Sequence, residues 1–213
     1  MRKSWTAGFV LLAAIAAAFP VHPAAADGTV LTVVDVGGPA VAVGDALTTT
    51  APDGAVFTTA AGGTTGVGCG TADLTATIST NPAAPGTATG ALRVLSFTDC
   101  GSNIRGCGSP VLTFQSLPYA VSIGSNGTVT ITARPDEPLR LIAGCRTPLG
   151  PVTCVYQPGA AGYTATLANT DKSLVFTNVQ FTKNSGPAVC PTQLFLTATY
   201  AQLQDANQTV FLN

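Results

Sequence analysis

Histidine, methionine and tryptophan each occur once, as His22, Met1 and Trp5, so nothing after residue 22 carries any of the three. Without histidine, the group that most often exchanges a proton near neutral pH is missing. Serine–histidine and cysteine–histidine catalysis within the chain is thereby excluded for that stretch, and a zinc site would need an all-cysteine or cysteine–aspartate ligand set. Charge is scarce too, at 9% of residues. Beyond the first three residues the cations are Arg93, Arg105, Arg134, Arg140, Arg146, Lys172 and Lys183. They are scattered and outnumbered by ten acids, so no basic stripe follows a nucleic-acid backbone or holds an anionic lipid surface. No Cys-x-x-Cys pair occurs. The glycine-rich GGTTGVGCG lacks the lysine and the following helix of a phosphate loop.

What is present begins with an address. Arg2 and Lys3 precede the apolar run Ala7–Phe19, Pro20 interrupts it, and Ala24-Ala25-Ala26 offers a small-residue cleavage site. The run is too short for a mature membrane span. The expected products are therefore a general secretory signal peptide, residues 1–26, and one all-β domain, residues 27–213; an uncleaved N-terminal anchor is the alternative. A single arginine before lysine does not support a twin-arginine signal, and no cysteine follows the cleavage site to carry a lipid. Release to the exterior is the expectation. Six cysteines, all after the signal, fit three disulfides in an oxidising compartment, with fifteen connectivities open to sequence alone.

Apolar residues alternate with period two along the rest of the chain, and no stretch sustains a helical period. Val, Ile and Thr lose more torsional freedom in a helix than on a pleated surface, and the frequent Gly and Pro would break helices in any case. The segment Cys69–Cys100 reads as a hairpin, with β-like runs Ala72–Ser79 and Ala91–Thr98 flanking Asn81-Pro82-Ala83-Ala84-Pro85-Gly86. Upstream, TVLTVVDV and AVAVGDALTT read as strands around Gly37-Gly38-Pro39. The strongest hairpin signal is Asn126-Gly127 between Tyr119–Ile123 and Thr128–Ala133, with Val129 and Ile131 facing the core. Leu112, Phe114 and Ser116 are expected on one face of their strand; Leu194, Leu196, Ala198 and Tyr200 share a face of theirs. About a dozen short strands are expected, as a disulfide-stabilised antiparallel β-sandwich or a closed β-barrel.

The chain resembles a family of uncharacterised actinobacterial, Streptomyces-type secreted proteins, labelled hypothetical or "signal sequence domain" proteins. The matching stretches are NPAAPGTATG at 81–90, LSFTDC at 95–100, LPYAV at 117–121, PVTCVY at 151–156, ANTDKSLVFTNVQF at 168–181, SGPAVCPTQLFLTATY at 185–200 and VFLN at 210–213. They cover most of the chain from Cys69 onward, while residues 27–68 match only as a threonine-rich lead-in. The resemblance implies secretion and an all-β fold, and no activity. In the resembling proteins the cysteines equivalent to Cys69, Cys100, Cys154 and Cys190 are the usual set, which leaves Cys107 and Cys145 as a pair of extras. The bridges so implied are Cys69–Cys100, Cys107–Cys145 and Cys154–Cys190, each worth roughly 4 kcal/mol in the chain-entropy account. The rival Cys145–Cys154 would give roughly 3 kcal/mol, too close to decide.

No catalytic or metal site is expected, and no cofactor. Asp136 and Glu137, flanked by prolines, read as a solvated turn. Asp99 neighbours a cysteine whose fate is a bridge. Lys172 with Ser173 and Lys183 with Ser185 sit in turns, and Asn169-Thr170-Asp171 lacks the spacing of a calcium loop. The leading functional expectation is a secreted, non-enzymatic protein with an interaction or cell-envelope structural role. A carrier of a small apolar ligand is the second, its pocket built from Phe114, Tyr119, Tyr156, Phe176, Phe181 and Phe195. A membrane-inserted β-barrel is the third, although the missing tryptophan and sparse tyrosine supply no interfacial girdle. Expected partners are envelope components or a small apolar ligand, not nucleic acid and not a stable membrane anchor.

Overall fold

Residues 28–159 and 162–213 are described by the computed structural model. The candidate signal peptide lies outside the described residues. The strands are β1 Leu31–Val33, β2 Ala46–Ala51, β3 Ala55–Thr58, β4 Gly66–Thr80, β5 Thr87–Ser102, β6 Gly108–Gln115, β7 Tyr119–Gly124 and β8 Thr128–Thr132. They continue as β9 Arg140–Thr147, β10 Gly150–Pro158, β11 Tyr163–Ala168, β12 Ser173–Ser185, β13 Gln193–Tyr200, β14 Gln204–Asp205 and β15 Gln208–Leu212. No helix occurs among the described residues. Every ladder between named strands is antiparallel, and eight of the strands close on themselves in the order β3, β4, β5, β7, β8, β11, β12, β13 and back to β3. Of the two all-β architectures expected, this is the barrel.

Three long strands make the closure work. β4 and β5 pair along nearly their whole lengths, with Cys69 directly opposite Cys100. The two runs expected for this hairpin are therefore too short by several residues at the cysteine ends. β12 pairs with β11 over Ser173–Val175 and with β10 over Phe181–Ser185, because a bulge between Phe176 and Val179 re-aims it halfway. In one half of the molecule the wall is completed by β7, β8 and β11; in the other it is completed by β10, β9 and β6. Between β5 and β6 no ladder forms in that second half, and Phe97 closes the seam instead, its ring 6.0 Å from Phe114.

The two ends differ. At one end lie the turns 81–86 and 124–127, and across them run residues 28–45 and the C-terminal strands. Three asparagine side chains fasten this cover. Asn81 takes the amide of Leu31 and donates to the carbonyls of Leu31 and Val41 at 2.8–2.9 Å. Asn169 holds both backbone groups of Leu212, and Asn213 binds Gly37 and Thr29. The upstream strands expected here are mostly turn. Val34 adopts a left-handed φ of 76°, which ends β1, and Asp45 caps the amide of Ala42 before β2 starts at Ala46. The hairpin at Asn126-Gly127 forms as expected, with Val129 and Ile131 buried. Gly127 has φ +82° and its missing Cβ would lie 2.3 Å from the Leu167 carbonyl oxygen, a position only glycine fills without strain. Ser116 departs from expectation: it too is left-handed, at φ 64°, and is exposed.

All three disulfides gather towards the opposite end, joining Cys69 to Cys100, Cys107 to Cys145 and Cys154 to Cys190. These are the pairs that the resemblance implies. Each closes a loop of 31–38 residues, so each limits the unfolded chain by roughly 4 kcal/mol.

Candidate binding cleft at the bridged end of the barrel

An eight-stranded barrel is just wide enough for side chains to fill it; here aromatic rings fill one part, and aliphatic side chains such as Leu74, Leu92, Ile131 and Leu174 close around a void of about 20 Å³ in another. Phe114 lies at the hub, with ring centroids 5.8–6.3 Å from those of Phe97, Tyr119, Tyr163 and Phe181. Tyr163 packs in turn on Phe176 and Phe181, Phe176 on Tyr200, and Phe97 on Phe57. Centroid separations of this size are contact distances for edge-on and tilted pairs. The pocket expected from Phe114, Tyr119, Tyr156, Phe176, Phe181 and Phe195 therefore needs correction. Phe114, Tyr119, Phe176 and Phe181 occupy the interior they were expected to line. Phe195 alternates with buried Leu194 and Leu196 and sits on the outer face, half-buried. Tyr156 is buried beneath the bridged end.

All four tyrosines of the chain are buried. Burial pushes the phenols of Tyr119 and Tyr156 up to about 12, and those of Tyr163 and Tyr200 further still. Such groups stay neutral at physiological pH and are poor proton exchangers. The Tyr119 hydroxyl donates to the Gln115 carbonyl, and the Tyr156 hydroxyl to that of Pro191 at 3.1 Å. The hydroxyls of Tyr163 and Tyr200 and that of Ser173 are buried without a partner among the described residues.

The bridged end opens. Here Val67 of β4, Ala143 of β9, Val152 of β10 and Leu194 of β13 stand around a cleft of about 70 Å³, with Tyr156 beneath. Two loops add Ile104 from 103–107, and Val189 and Pro191 from 186–192; the Cys107–Cys145 bridge and Cys154 complete the wall. Arg105 is the one charged side chain among these residues. Lys183 stands nearby, half-buried, its Nζ donating to the Cys190 carbonyl at 3.3 Å. The two bridges hold both loops to the barrel wall, so the cleft does not depend on the loops' own packing.

The other polar clusters considered in the sequence fall elsewhere. Glu137 pairs with Arg134 across an exposed turn. Asn169 is spent on Leu212, and Lys172 lies over the Phe211 ring at 5.4 Å. No cluster of metal-ligating side chains occurs among the described residues. One carboxyl pair was not anticipated. Asp205 meets Asp45 at the covered end, and partial burial, the Asp45 charge and their shared hydrogen bond hold the Asp205 carboxyl above its ordinary range. Sequence reasoning also missed the cleft. The available signal was the isolated apolar residues Ile104 and Val189, each lodged in a Gly/Pro-rich loop within three residues of a cysteine.

Comparison with protein-family models, with curated proteins and with solved structures gives no match.

Proposed function

We propose that this protein is an exported, non-enzymatic β-barrel that acts by binding, in an interaction role at or outside the cell envelope, through its bridged end. The observation that carries the reading is the contrast between a barrel filled by aromatic and aliphatic side chains and an apolar opening held by two disulfides. A filled interior holds its shape and leaves little room for a reacting substrate. The ionisable groups inside it are tyrosines with raised pKa values. Three disulfides support an oxidising destination, and kinship with actinobacterial secreted proteins belongs to the same proposal.

Insertion into a membrane is the weaker reading, because the polarity of this barrel is reversed. Membrane barrels turn an apolar band outward and keep a polar lumen. Here the interior is aromatic and aliphatic, and the outward row across four neighbouring strands is Thr89, Ser122, Thr130 and Thr164. Two measurements test the proposal together. Expressed with its signal, the chain is expected in the medium; the purified protein is expected to leave ester, glycoside and peptide substrates unchanged. Turnover that rises with protein concentration and is lost on reduction and unfolding would overturn it.

A further inference from the structure

The cleft has a chemistry that narrows its ligand, if the protein acts by binding as proposed above. At about 70 Å³ it is far smaller than the roughly 300–1,000 Å³ of sites that enclose a whole drug-sized molecule. It accommodates the end of a chain. Its walls are mainly aliphatic side chains and disulfide sulfur, which offer a hydrocarbon dispersion contacts; the hydroxyls of Thr147 and Tyr156, which also line it, donate to the Gly150 and Pro191 carbonyls. The charge at its rim has one sign: Arg105 lines it, Lys183 stands behind the 186–192 loop, and no Asp or Glu is among the lining residues. Arg105 makes no ion pair among the described residues. An aliphatic chain beside an unpaired guanidinium suits a molecule with an apolar tail and a carboxylate head.

We propose that the bridged end binds free medium-chain aliphatic carboxylates, the chain end entering between Val67, Val152 and Leu194 and the carboxylate meeting Arg105 at the rim. The guanidinium can hold a carboxylate through two parallel N–H donors, a geometry that lysine does not offer.

Calorimetric titration of the purified, oxidised protein with butanoate, hexanoate, octanoate and decanoate tests this. Affinity is expected to rise about fourfold per added methylene until the cleft is full and then to level off. Arg105→Ala, at an exposed position, is expected to weaken octanoate about fivefold while leaving 1-octanol unchanged. Val189→Asp, on the exposed rim, is expected to weaken both. Absence of saturable octanoate binding by the folded protein would overturn the proposal. So would indifference to Arg105→Ala, or preference for a short peptide with a C-terminal leucine over every fatty acid. A folded, exported protein that binds none of the acids refutes this ligand alone, whereas substrate turnover refutes the binding reading beneath it.

Discussion

Raising the pH attacks the core directly, because every tyrosine in the chain is buried, Tyr119, Tyr163 and Tyr200 among the aromatic rings and Tyr156 beneath the bridged end. Below pH 10 the phenols are neutral in folded and unfolded chains alike, and the stability they permit is fully present. Above pH 10 the unfolded chain ionises its tyrosines while the folded chain cannot, so stability is lost as pH rises towards the folded values. For Tyr119 and Tyr156, raised from 10.0 to about 12, each shift corresponds to at most roughly 2.3 kcal/mol lost by pH 12. Together that is at most roughly 5 kcal/mol, comparable with the whole stability of many domains, and Tyr163 and Tyr200 push in the same direction. Phenolate absorbance and far-ultraviolet circular dichroism, followed together with pH, are the assay. The tyrosines are expected to ionise late, in one steep step that coincides with loss of the strand signal. Gradual ionisation centred near pH 10 with the strand signal intact would refute the reasoning, since water would then already reach the rings.

Three substitutions probe the same account at single sites. Phe114→Ala removes the hub of four ring contacts and is expected to cost about 3–5 kcal/mol in chemical denaturation, with the upper half of that range favoured by the ring pairs. Tyr156→Phe leaves the Pro191 carbonyl without its donor and is expected to cost about 1 kcal/mol. Tyr163→Phe, which deletes a hydroxyl with no partner among the described residues, is expected to be neutral or stabilising; a larger loss at Tyr163 than at Tyr156 would contradict the assignment. Asp205 has a raised carboxyl pKa, so its favourable contribution is present below the unfolded value near 3.8 and is lost as pH rises through the folded one. Asp205→Asn is therefore expected to raise the melting temperature at pH 7 and not at pH 3.5; equal effects at both would rule out repulsion from Asp45.

How much of this was readable in the chain depended on how local the cause was. Asn126-Gly127 specifies a turn through its own backbone preference, and Leu194 to Tyr200 show their buried face by alternation alone. AVAVGDAL alternates just as well, yet residues 40–45 form a turn, because Asp45 binds back to Ala42 and Asn81, forty residues away, takes the Val41 carbonyl. Closure into a barrel rests on β13 pairing with β3 and β3 with β4, contacts between strands that carry no mark of their partner. Of the six aromatic residues expected to line a pocket, five are buried and Phe195 is on the outer face. Whether such rings line a space or fill it depends on the radius of the closed sheet, which no single segment encodes. The cleft was hidden for a similar reason: its walls come from four strands and two loops that only the folded barrel and its bridges bring together.

Export of the chain is the proposal on which its function turns, and the intact mass of the protein recovered from culture medium tests export and the three bridges most directly. The predicted mass is that of residues 27–213 less six hydrogens, unchanged by a thiol-alkylating reagent under denaturing conditions. A mass that retains residues 1–26, or one that gains alkyl groups without prior reduction, would contradict it.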